Sequence, residues 1–234
     1  MKMIKRILAG MLGTVLVLGL LAAALGLSGD PLSRAWAEKR AVAYAQELYP
    51  GQVFFVQAVA RNRPFSYRAE VQSRESGDTH FSVITDFWVS TSSAGDHIRM
   101  VESKWNTKYR LGEEAAERAA AILMVELPEM RFSAVYGTEE RIAFVEMEGE
   151  ADGLTLDMPF DASLMNEYEF SLSAVVLCKD DPTEAELREA LNRIRAAMEK
   201  HGMMFARYDI TLIRSDGEGE ALNSEMISAE EMGE

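Results

Sequence analysis

Hydrophobic and polar positions divide this chain unevenly. Residues 7–27, ILAGMLGTVLVLGLLAAALGL, form an apolar run that no charge, Asn, Gln or Pro interrupts. As a helix rising about 1.5 Å per residue, the run spans roughly 31 Å, the thickness of a bilayer core. Lys2, Lys5 and Arg6 stand just before it. A basic flank on a very short tail places residues 1–6 in the cytoplasm and everything from Ser28 onward outside it. The expectation is a single-pass protein of the cell membrane, anchored through residues 7–27, with the bulk of the chain extracellular. A cleaved secretory signal is the competing reading, with Ala22-Ala23-Ala24 or Ala24-Leu25-Gly26 as the cleavage site. The apolar part of a signal is typically about 7–15 residues, so length favours the uncleaved anchor. Lipoprotein processing is excluded, because the single cysteine is Cys178. Ala9 with Gly13, Gly19 with Ala23 and Ala22 with Gly26 place small residues at helical spacing, a face that lets helices approach.

Beyond the run, two changes of period predict the next elements. Pro31 to Tyr49 reads as a helix with Asp30 as its cap, Ala37, Ala41, Tyr44, Ala45 and Leu48 on one face and Pro50-Gly51 as its stop. Three strands follow: Val53–Val59, Phe65–Ser73 and Phe81–Phe87, separated by turns at Arg61–Pro64 and Glu75–Asp78. In the second, Phe65, Tyr67, Ala69 and Val71 alternate with Ser66, Arg68, Glu70 and Gln72. A loop at Ser90–Asp96 leads to a long helix over Ile98–Val125. Val101, Trp105, Tyr109, Gly112, Ala116, Ala119 and Leu123 hold one face, and Gly112 is a point of bending or breakage.

The second half repeats these themes. Arg131–Tyr136, Ile142–Met147, Leu154–Met158 and Phe170–Leu177 read as strands, and Pro159–Tyr168 as irregular with one helical turn. Asp181-Pro182-Thr183-Glu184 starts a helix with Asp181 as the cap. Leu187, Leu191, Ile194 and Met198 line its face, and it ends near His201-Gly202 before a strand at Met204–Ile213. The whole predicts an α+β fold: an N-terminal transmembrane helix followed by two small units of helix packed on antiparallel sheet. The first unit is set at 28–127 and the second at 128–214. Residues 215–234, with seven acidic and no basic side chains, read as a disordered acidic tail.

Charge narrows the partners. Outside the flank of the apolar run, 21 basic residues face 38 acidic ones, a net charge of −17. Taken over the whole chain, that excess disfavours nucleic acid and anionic lipid. One cysteine allows no internal disulfide, so a hydrophobic core must hold the fold. Cys178 ends a β-like run and reads as a buried, inert thiol.

Candidate chemistry is sparse. His80, His97 and His201 are scattered, with no second ligand at metal-binding spacing, so no metal residues are assigned. Asp180-Asp181 looks like a carboxylate pair, yet capping accounts for Asp181. Asp157 and Asp161 flank Met158-Pro159-Phe160 without the D-x-D-x-D-G pattern of a calcium loop. Methionines do not cluster: Met198 falls on a helix face and Met203-Met204 open a strand, which reads as core filling and not as copper handling. No nucleophile elbow, P-loop or dinucleotide fingerprint is present. No catalytic, cofactor-binding or metal residues are therefore assigned, and no cofactor is expected. The expected function is a membrane-anchored extracytoplasmic binding protein with an envelope protein as its partner. The alternative is a secreted or tethered envelope hydrolase or metal-dependent enzyme using acidic residues.

The run leading into Gly29-Asp30-Pro31-Leu32-Ser33, the helix ending Tyr49-Pro50-Gly51 and the motif Lys104-Trp105-Asn106-Thr107-Lys108-Tyr109-Arg110-Leu111 resemble the YfjL-like proteins of Gram-positive bacteria. That resemblance implies a small membrane-anchored protein and carries no catalytic residues with it. A helix followed by an antiparallel sheet also looks like PepSY or cystatin-type modules, which implies binding or inhibition by analogy of fold alone.

Overall fold

A computed structural model describes residues 10–20, 31–63, 66–86, 91–93, 97–135, 141–216, 221–224 and 227–228. Of the apolar run, residues 10–20 form helix α1, with every side chain exposed; the rest of the run, and the expected cap Asp30, lie outside the described residues. Among the described residues no helix is long and apolar enough to cross a membrane. The chain divides into two compact units, Met1–Ser103 and Lys104–Glu234.

In the first unit, helix α2 (Pro31–Leu48) lies on a four-stranded antiparallel sheet in the order β1 (Phe54–Arg63), β2 (Ser66–Ser73), β3 (His80–Asp86), β4 (Thr91–Ser93). Ala37, Ala41 and Ala45 recur every fourth residue and are fully buried. Their small side chains bring the helix axis close to the sheet. The facing strands supply Tyr67, Ala69, Val71, Phe81 and Val83, paired as Val71 with Phe81 and Ala69 with Val83. Tyr49, Phe54 and Phe81 close one end with ring centroids 5.9–6.1 Å apart. Short helix α3 (His97–Glu102) contributes buried Val101 to this unit. Two expectations change here. β1 runs on through Arg63, so the turn expected from Arg61 is displaced, and the expected loop contains β4, which pairs with β3.

The expected long helix is two helices. Lys104 adopts a left-handed backbone (φ 60°) between α3 and α4 (Trp105–Glu126). Helix α4 runs unbroken through Gly112. This helix belongs with the second unit: its Leu111, Ala115, Ala119 and Leu123 are fully buried in that unit's core. The division therefore falls at Ser103–Lys104, and the helix expected in the first unit moves to the second.

The second unit builds on β7 (Phe170–Cys178). One of its edges pairs antiparallel with β5 (Arg131–Ser133) and β6 (Ala143–Met147), end to end. The other pairs with β8 (Arg207–Arg214) in parallel, Leu172 opposite Tyr208 and Val176 opposite Leu212. Parallel neighbours need a crossover, and α5 (Glu184–Lys200) supplies it. The sheet is thus mixed, where a wholly antiparallel one was expected. Phe170, Leu172, Ala174, Val176, Tyr208, Ile210 and Leu212 share a core with the buried faces of α4 and α5, among them Leu187, Leu191, Ile194 and Met198. Residues 154–158 form turns, not a strand, with Asp157 at φ 58°. A 3-10 helix at Ala162–Asn166 fills the irregular stretch as expected.

Two chain ends also differ from expectation. The cap of α5 is Thr183, two residues beyond Asp181. It accepts from the Glu186 backbone N–H, while the Glu186 carboxylate accepts from the Thr183 N–H, a reciprocal capping box. Asp181 pairs instead with Arg214 at 2.9 Å. Within the expected disordered tail, β9 (Leu222–Asn223) and β10 (Ile227–Ser228) both pair antiparallel with β8.

Candidate functional site

Helical spacing i, i+4 puts Trp105 and Tyr109 on one face of the first turns of α4. Their rings stack with centroids 5.5 Å apart and planes 11° from parallel. Trp105 is 46% exposed and Tyr109 52%, so this aromatic shelf faces solvent. The buried face of α4 instead runs through Asn106, Thr107, Leu111 and Ala115. The expected face is therefore wrong at its N-terminal end: buried polar Asn106 and Thr107 take the positions that pattern alone assigns to the aromatics.

The shelf borders a slot of ≈ 180 Å³ lined by Trp105, Lys108, Tyr109, Phe144, Val145, Glu146 and Met147. Strand β6 supplies one wall: Val145 and Met147 turn into the core, Phe144 is half-buried and Glu146 is exposed. Lys108 fixes the rim, its Nζ donating to Gly149 O at 2.6 Å. An apolar floor with few polar groups on its rim suits holding a group better than proton transfer.

A second cleft, of ≈ 220 Å³, lies where β7 ends and α5 begins, lined by Met130, Cys178, Lys179, Glu186, Glu189 and Arg193 among others. Cys178 is half-buried and free. Burial, and secondarily the Glu186 charge, push its thiol up, opposite to the shift an attacking thiolate needs.

The residues singled out in the sequence take up separate places in the second unit and at the turns and helix ends of the first. His80 Nδ1 lies 2.9 Å from Gly77 O in the β2–β3 turn. His97 opens α3. His201 ends α5, its Nε2 2.8 Å from Glu126 Oε1. Asp161 caps the 3-10 helix by accepting from Ser163 N–H at 2.8 Å, and those Ser163 bonds, with Arg118 behind them, hold its carboxyl below the usual range. Met198 and Met203 are buried, and Met204 is 53% exposed. Among the described residues no group of three or more His, Cys, Asp or Glu side chains could hold a metal ion. The shelf went unread because Trp105 and Tyr109 fit a core face as well as a solvent face. The nearest sequence signal is charge, with Lys108 between them and Lys104 and Arg110 on either side.

Residues 4–94 match the YfjL-like N-terminal domain family. The YfjL-like match takes in the apolar run, α2 and β1–β4, and ends before α3. The Lys104–Leu111 motif, which contributed to the resemblance, lies outside it. A solved structure of a DUF5037 family protein from Ruminococcus gnavus ATCC 29149 aligns over 76% of this chain and 74% of its own, at 11% identity and a TM-score of 0.25. A likeness that slight supports no statement about fold or function. No curated protein matches the chain.

Proposed function

We propose that this protein is a single-pass, membrane-anchored binding protein with its bulk outside the cytoplasm. Its Trp105–Tyr109 shelf holds an apolar or aromatic segment of an envelope protein partner, and it does no chemistry on that segment. The shelf carries the proposal: two large rings with half their surface exposed are costly to leave in water, and such rings are enriched where proteins meet. The anchor rests on the length of the 7–27 run and its basic flank. Against the hydrolase alternative, Asp161, Asp181 and Glu186 are each engaged in a cap or an ion pair.

The test is made on tagged full-length protein in cells. External protease added to protoplasts should digest a membrane-retained chain. A photo-crosslinker at Tyr109 should give one discrete adduct that Trp105→Ala abolishes, while the same group at exposed Met124 gives none. Release of a shortened protein into the medium would end the anchor reading. Equal adducts from both positions would end the shelf reading.

A further inference from the structure

The acid of this chain is not spread evenly. With Lys2, Lys5 and Arg6 of the expected cytoplasmic tail set aside, residues 28–103 carry 8 basic and 9 acidic residues, and Lys104–Glu234 carries 13 and 29, net charges of −1 and −16. The exclusion of anionic lipid from overall charge therefore applies to the second unit only.

Within the first unit the basic residues gather at one end. Two contacts set the direction of α2 along the sheet. Arg40 Nε donates to Thr91 Oγ1 at 3.1 Å, and the Tyr49 ring packs 5.9 Å from Phe81. Thr91 pairs with Thr85, Thr85 with Tyr67, and Tyr67 with Arg61, so Arg40 stands level with that row. Phe81 pairs with Val71 and Val71 with Val56, near the start of β1. Helix α2 thus runs antiparallel to β1, and its first turns lie where β1 finishes at Arg63. Arg34, Lys39, Arg40, Arg61 and Arg63 collect there. The described carboxylates at that end are Glu38 and Asp86, each paired with an arginine: Arg34 at 3.4 Å and Arg63 at 3.2 Å. Glu47 in the last turn of α2, Glu75 accepting from Val53 N–H, and Glu102 beside Tyr49 lie toward the other end.

This end also presents apolar groups. With Ala37, Ala41 and Ala45 against the sheet, the opposite side of α2 carries Leu32, Ala35, Lys39 and Ala43. Leu32 is 82% exposed. Trp36 is half-buried, with the Arg40 guanidinium 5.0 Å from its ring centroid.

We propose that this end of the first unit docks on an anionic lipid surface, with Leu32 and Trp36 entering the headgroup layer and Arg34, Lys39 and Arg61 on the lipid phosphates. Basic side chains flanking a Trp and an exposed aliphatic group are the chemistry such surfaces take up. The proposal rests on residues 7–27 being an anchor. The four residue steps from Leu27 to Pro31 then reach at most about 14 Å, which keeps the start of α2 at the membrane.

The test uses the full-length chain, with Trp36 as its only tryptophan (W88F, W105F), in vesicles of phosphatidylcholine alone or mixed with phosphatidylserine. Flotation with neutral vesicles tests the anchor; quenching of Trp36 by brominated lipid tests docking. Expected are flotation with both vesicles, and quenching that appears only with phosphatidylserine and is released by high salt. R34Q and K39Q should each lower the docked-to-free ratio about 5-fold, and together about 25-fold. The salt response of the parent chain provides the same reading without a variant. Flotation with both vesicles and equal quenching in both would overturn docking and leave the anchor standing. No flotation with neutral vesicles would end the anchor reading; capture by phosphatidylserine vesicles alone would then still support docking, and capture by neither would overturn it.

Discussion

The backbone of Gly112 in α4 meets the carbonyl of Val145 in β6 so closely that a Cβ on the glycine would lie 2.6 Å from that oxygen. The obstacle is main chain and not the far end of a flexible side chain, so it cannot swing aside. Gly112→Ala would gain about 1 kcal/mol of helix propensity in an unhindered helix. Here overpacking should outweigh that gain, giving a net loss of about 1–2 kcal/mol. Urea denaturation of the G112A chain measures it; equal or greater stability would mean that α4 and β6 separate freely.

That glycine also shows where pattern reading stops. Apolar periodicity located α2, β2, β3, β6, β7, α5 and β8, because each buries one face and its polar positions follow the period. It placed the alanines of α2 and the Leu187–Met198 face of α5 correctly. It misread Gly112 as a weak point, since a close approach depends on a strand 33 residues away in the sequence. It placed Trp105 and Tyr109 inside, because the burial of Asn106 and Thr107 reflects tertiary packing that polarity does not signal. The parallel pairing of β7 with β8 was equally hidden: alternation fixes which face is buried, not the direction of the neighbouring strand.

Glu126 at the end of α4 accepts from Lys200 Nζ at 2.6 Å and lies 2.8 Å from His201 Nε2 at the end of α5. Those bonds, Lys200 first and His201 second, hold its carboxyl below the ordinary value of 4.5. A carboxylate depressed by folding stabilises the fold fully above its unfolded pKa, and the contribution drains away as pH falls through the folded value. Stability should therefore decline with acidification below about pH 4.5, and Glu126→Gln should flatten that decline while lowering stability at neutral pH. Chemical denaturation at stepped pH values checks both. An unchanged slope in E126Q would show that the helix ends are joined by packing alone.

Tyr208 on β8 is almost wholly buried, its ring 5.7 Å from Phe205 in an edge-on contact. Burial pushes its phenol from 10.0 up to about 12, with the Phe205 backbone hydrogen bond pulling the other way. The folded chain holds this proton more tightly than the unfolded one. Its contribution is whole below pH 10 and is lost as pH rises from there through the folded value. Two units correspond to about 3 kcal/mol. Tyr208→Phe should remove that alkaline loss, so parent and variant denaturation curves should converge or cross as pH rises. Parallel behaviour of the two chains up to pH 12 would mean that the phenol ionises without unfolding.

Ser224 lies in the segment that composition marks as a disordered tail, yet it is buried. Its Oγ accepts from Ile210 N–H at 2.8 Å and donates to Tyr208 O at 3.1 Å, fastening the chain after β9 to the edge of β8. Seven acidic residues and no basic one in this stretch argue for solvation, but one hydroxyl can satisfy two main-chain groups that would otherwise be buried unpaired. Ser224→Ala should cost about 1–2 kcal/mol, and removing residues 217–234 should cost at least as much, because Ile210 N–H and Tyr208 O then lose the same partner. Amide exchange gives the sharper measurement: Ile210 N–H should be protected in the parent chain and exchange far faster in S224A. If the tail is only a solvated appendage, both changes leave the denaturation midpoint and the Ile210 exchange rate where they were.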